Sequence, residues 1–123
     1  MSRNTFGAML KRLRIKRKLT LREFCQQHGF DPGNYSRLER GVFDPPQDRQ
    51  KLEQYATALG ISPGDDDWLE FFDTAAASRG EIPQDLLSDE EVVKKLPVLF
   101  RTLRAKPVSP EMLDELVDRI RRG

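Results

Sequence analysis

The chain has 123 residues, 33% of them charged, 8% aromatic, one cysteine and a net charge of +1. One cysteine excludes an internal disulfide, and no apolar run approaches the roughly 20 residues of a membrane-spanning helix. High charge, few aromatics and no alternating apolar runs predict an all-α protein: a small domain with an appended helical part. The N-terminal stretch lacks a signal peptide's apolar core, so the expected compartment is the cytoplasm.

Periodicity predicts a first helix from near Thr5 to Lys18, with Phe6, Met9, Leu10 and Leu13 along one stripe. Thr20 to Glu23 is a capping box, opening a second helix over about 21–28 that buries Phe24 and Cys25. Gly29 can adopt the left-handed conformation that ends it. Asp31-Pro32 is a fresh start, an acceptor at the cap and proline at the first helical position, for a third helix running to Arg40 and stopping at Gly41. Two capped helices this close form a helix-turn-helix, a unit whose second helix can enter the DNA major groove.

The paired prolines of Val42–Pro46 make a loop, and a fourth helix follows over about Asp48–Leu59 with Gly60 as its stop. Asp65, Asp66 and Asp67 precede an aromatic segment and complement the dipole of a fifth helix over about 66–78. Trp68, Phe71 and Phe72 are expected to pack under the preceding helices, with a partner-facing patch as the alternative. Ser88 to Glu91 reads as another capping box, opening a helix to about Arg104 that Pro97 should kink or divide. Ser109-Pro110 then opens an amphipathic last helix carrying Met112, Leu113, Leu116, Val117 and Ile120. The expected organisation is a DNA-binding domain over 1–64 and a helical extension over 65–123 for dimerisation or partner binding.

Charge divides the same way. Residues 1–43 carry ten basic side chains (Arg3, Lys11, Arg12, Arg14, Lys16, Arg17, Lys18, Arg22, Arg37 and Arg40) against Glu23, Asp31 and Glu39, a net of +7. The rest of the chain therefore carries −6, so a head suited to a polyanion precedes an acidic body. The alternative for any one of these charges is a solvated helix face.

At about 100° per residue, Tyr35 and Leu38 face the other helices, with Glu39 at the edge. Gly33, Ser36, Arg37 and Arg40 lie opposite, with Asn34 at the margin. Arg37 suits a bidentate contact to guanine, and Asn34 a contact to adenine or phosphate. Arg40, Thr20 and Arg22 suit the DNA backbone. Elsewhere the chemistry is thin. Cys25 and His28 lack the further ligands a zinc site needs, so Cys25 reads as core and His28 as a helix-end residue. The aspartates 65–67 diverge from one helix start and read as a cap. No phosphate-binding glycine loop or nucleophile elbow is present, and neither an enzyme, a metal nor a cofactor is expected.

The segment from about Leu10 to Ser62 resembles the lambda-repressor-like, Cro or XRE-type, helix-turn-helix proteins. The likeness runs through Leu13-Arg14, Leu19-Thr20, Glu23-Phe24-Cys25, Gly29-Phe30, Tyr35–Gly41, Pro46 and Leu52–Ser62. It implies a five-helix domain, usually dimeric on DNA, whose third helix reads bases, with Arg14 and Glu39 as a structural ion pair. The chain departs at Leu21, where many members carry a phosphate-binding glutamine, and at Pro32-Gly33, where members often carry base-reading side chains. Its loop 42–46 lacks a basic residue for the minor groove. The expectation is a transcriptional regulator, most simply a repressor, bound as a homodimer to a palindromic operator on double-stranded DNA. An antitoxin that autoregulates its operon and clamps a toxin through the acidic tail is the alternative. A third reading is a protein-interaction adaptor without DNA binding.

Overall fold

The computed structural model describes residues 5–105 and 108–122, so Arg3 of the basic head lies outside the described residues. They form eight helices and divide between Pro83 and Gln84 into two compact units.

In the first unit, α1 (Thr5–Lys16) buries Phe6, Met9, Leu10 and Leu13. It ends two residues before the expected Lys18, because Lys18 takes a left-handed φ of 60° and its N–H turns back to the Ile15 carbonyl at 2.8 Å. A lysine there carries strain that glycine would not. The next helix, α2 (Leu21–His28), opens on a complete capping box. Glu23 N–H donates to Thr20 Oγ1 at 3.1 Å, and Thr20 N–H donates to Glu23 Oε1 at 2.9 Å. The Thr20 backbone N–H and hydroxyl hold the Glu23 carboxyl below the usual carboxylate range. The reciprocal bond therefore persists at neutral pH and is lost as acid protonates Glu23. Thr20→Ala is expected to cost about 1 kcal/mol of unfolding free energy. A urea melt checks this, and an unchanged midpoint would refute it.

Gly29, at φ 71°, closes α2, and Phe30 N–H returns to the Cys25 carbonyl at 2.9 Å. The chain then enters α3 (Pro32–Glu39), where Asp31 Oδ2 accepts from Asn34 N–H at 2.8 Å. Arg40 is the C-cap and Gly41, at φ 74°, the exit. After the loop, α4 (Arg49–Ala58) is capped by Asp48, whose Oδ1 accepts from Gln50 N–H at 3.0 Å. The fifth helix, α5 (Asp66–Ser78), has Asp65 at its N-cap position, but that carboxylate bonds backwards, accepting from Ser62 N–H at 3.0 Å. The aspartate thus closes the preceding turn and leaves the helix amides uncapped by its side chain.

One core joins the five helices. Phe24 and Tyr35 lie 5.0 Å apart between centroids, and Phe30 meets Tyr55 edge-on at 4.8 Å. Phe71 of α5 is fully buried and meets Phe6 edge-on at 5.2 Å. Ser78 Oγ accepts the Phe6 N–H at 3.2 Å. The compact unit therefore extends one helix beyond residue 64, where sequence places the boundary. Arg49 lies over the Phe72 ring at 3.7 Å, and Trp68 packs on the same ring at 5.0 Å.

The second unit holds α6 (Gln84–Leu87), α7 (Glu90–Ala105) and α8 (Pro110–Arg122). The single turn α6 was not legible in the sequence, and it displaces the expected cap. Ser88 Oγ donates back to the Gln84 carbonyl at 3.0 Å, and Asp89 Oδ1 instead accepts from Glu91 N–H at 3.0 Å and Val92 N–H at 3.4 Å. Pro97 lies inside α7 without dividing it. Ser109 caps α8, accepting from Met112 N–H at 3.2 Å. None of the described residues of these three helices is buried.

Candidate nucleic-acid interface

The outer face of α3 is fixed from beneath. Arg14 on α1 grips Glu39 with two parallel bonds, Nε to Oε2 at 2.7 Å and Nη2 to Oε1 at 2.9 Å. Its third arm, Nη1, donates to the Leu19 carbonyl at 2.9 Å, just before the Thr20 cap. One guanidinium therefore holds the end of α3 and the entrance to α2. The bond to Glu39 raises the Arg14 pKa against the opposing effect of burial, so the cation is permanent. A bidentate pair also fixes orientation, which a lysine could not do.

The inner face of α3 is closely packed. Tyr35 and Cys25 are each 1% exposed, and burial pushes both the phenol and the thiol up from their usual pKa values. Cys25 is thus a neutral core residue. Tyr35 Oη is buried with no hydrogen-bond partner. A buried unpartnered hydroxyl costs free energy. Tyr35→Phe is therefore expected to keep or raise stability by up to about 1 kcal/mol. A clear fall in melting temperature would contradict that.

On the outer face, Gly33, Asn34, Arg37 and Arg40 are exposed, whereas Ser36 is half-buried. Arg37 Nη1 donates to Asn34 Oδ1 at 3.4 Å, and Arg40 Nε to Ser36 Oγ at 3.3 Å. Both bonds are long, so neither consumes its guanidinium. A Cβ on Gly33 would lie 3.3 Å from both Arg37 Nη1 and Asp31 Oδ2, so glycine leaves Arg37 room to lie along the helix. Thr20 and Arg22 are exposed at the start of α2. The Thr20 hydroxyl is engaged in this cap, accepting the Glu23 N–H and steadying the Glu23 carboxylate.

Two residues absent from the sequence reading frame this face. Phe43, 44% exposed, lies beneath Arg37, whose guanidinium carbon is 5.6 Å from the ring centroid. The Val42 and Phe43 N–H groups both donate to the Arg37 carbonyl, at 2.9 and 3.2 Å, folding the loop back onto the helix end. Arg79, just past α5, donates from Nη1 to the Pro45 carbonyl at 2.7 Å and pairs with Glu81 at 2.8 Å. A large aromatic between Gly41 and Pro45 could have flagged Phe43. Nothing local to Arg79 points to a loop 34 residues upstream.

A family model for a helix-turn-helix domain matches residues 7–72, more than half of the chain. The chain belongs to the helix-turn-helix domain family. The matched span runs from α1 into α5 as far as Phe72, so it includes the Phe71 that packs on Phe6. Neither the curated proteins nor the solved structures yield a match. Membership makes the chain a DNA-binding protein of the regulator type, consistent with the lambda-repressor-like resemblance. Within the helix-turn-helix domain, α2 and α3 are the two helices of the name. No helix among the described residues is long and apolar enough to cross a membrane.

Proposed function

We propose that this helix-turn-helix protein is a sequence-specific transcriptional regulator, a repressor that binds a palindromic operator in double-stranded DNA as a homodimer. The observation that carries the reading is the two-sidedness of α3. Its inner face is locked by Arg14–Glu39, and its outer face offers Asn34, Arg37 and Arg40 to whatever approaches. In this reading α3 lies in the major groove, with Arg37 on a guanine edge and Asn34 on an adenine or phosphate. Gly33 and Ser36 allow close approach, while Arg40, Thr20 and Arg22 hold the phosphates. Two such helices would lie about 34 Å apart, one turn of DNA.

Arg37→Ala is expected to cost about 1–3 kcal/mol of operator affinity and to relax preference at one base step. Arg40→Ala should weaken binding alike on all sequences and flatten the salt dependence. Selection from a random DNA pool, repeated with each variant, tests both. An enriched motif unchanged by Arg37→Ala would refute the reading role. The exposed apolar faces of α7 and α8 favour a second reading, an antitoxin that clamps a toxin there and represses its own operon. A neighbouring gene for a small basic toxin would separate the two.

A further inference from the structure

We propose that α8 is a self-association helix, pairing antiparallel with α8 of a second copy of this chain. Residues 84–123 form a unit of their own, and none of its described helical residues is buried. A chain of about 40 residues rarely sustains itself without oligomerisation or another staple, and isolated helices of 12–15 residues are marginal in water. Yet α8 exposes Leu113, Leu116, Val117 and Ile120, between 43% and 72%, along a single stripe. These side chains need a cover.

The charges on α8 identify that cover. Glu111, Asp114 and Glu115 occupy its leading half and Arg119, Arg121 and Arg122 its end, with Asp118 between them. A parallel copy would set acid beside acid and base beside base. An antiparallel copy sets each acidic half against a basic half. The register agrees. With Leu113, Val117 and Ile120 in the seam, Asp114 and Arg121 are seven residues apart on one flank, the positions that choose partner and orientation in paired helices. Turning one helix end over end brings that flank onto itself, so Asp114 of each copy faces Arg121 of the other. A two-fold axis makes both pairs at once. A helix of 13 residues is only about 20 Å long, and a stable dimer buries about 1,200 Å² or more. The α7 stripe of Val93, Leu99, Phe100 and Leu103, about 40% exposed at each position, must therefore be covered in the same assembly.

This inference supplies an interface for the homodimer proposed above, and its test uses no DNA, so its failure leaves the reading of α3 standing. Sedimentation of the full chain should give the mass of two copies. D114R and R121D should each raise the dissociation constant roughly tenfold, by placing like charges at two symmetric sites. The double variant, of unchanged composition, should restore self-association, and mixing the two single variants should yield a mixed dimer. I120D should leave monomers whose first unit melts as in the parent. A wild-type chain that stays monomeric at every concentration would overturn the proposal and leave the stripe to a foreign protein. So would a dimer indifferent to I120D, or a double variant that stays dissociated.

Discussion

Glu39→Ala is expected to destabilise the first unit by about 3–5 kcal/mol, because it strands the buried Arg14 guanidinium without its carboxylate. Arg14 is 8% exposed, and a guanidinium is too strong a base to escape by losing a proton. The double variant Arg14→Met/Glu39→Ala should cost less than Glu39→Ala alone if the new methionine packs, since removing both charges is milder than orphaning one. Chemical denaturation of the three proteins checks the order. Equal midpoints for Glu39→Ala and the parent would show that the pair carries no structural load. The functional consequence is separable. At a denaturant-free temperature where Glu39→Ala stays folded, its DNA affinity should still fall, because α3 and the Leu19–Thr20 entrance lose their common anchor.

Phe71→Ala should cost about as much, 3–5 kcal/mol, by opening a cavity between α1 and α5. Phe71 is fully buried against Phe6 and Phe72. A chain cut after residue 64 would lose Phe71, the aromatic cover of Phe72 and the Ser78 acceptor for Phe6 N–H together. Its thermal unfolding should be shifted far down or lost. A truncated chain as stable as the full one would show that α5 is an accessory, not a member of the core.

These two results concern features that differ in how far the sequence reveals them. The turn between α2 and α3 is legible almost to the residue, because its determinants are local: Thr20 with Glu23, Gly29, Asp31 with Pro32. The two side-chain caps each satisfy an amide three residues away. The outward set on α3 follows from periodicity alone, with Ser36 half-buried where an exposed residue is expected. What escapes are choices between near neighbours and contacts across the fold. Ser88 and Asp89 compete for one helix start, and the extra turn of α6 gives it to the aspartate. Asp65 could bond forwards or backwards and bonds backwards, to Ser62. Arg79 reaches Pro45 only because α5 returns beside the loop, which no local pattern encodes.

The long internal bonds of Arg37 and Arg40 bear on how quickly DNA is engaged. Both guanidiniums rest along the helix on Asn34 and Ser36, and Arg37 also on Phe43, through contacts loose enough to be exchanged for DNA at the moment of encounter. Little internal bonding then has to be broken in the final docking step. Arrival is governed instead by how far the field of the basic helices reaches through the surrounding ions, and the rate of capture should drop steeply as that reach shortens.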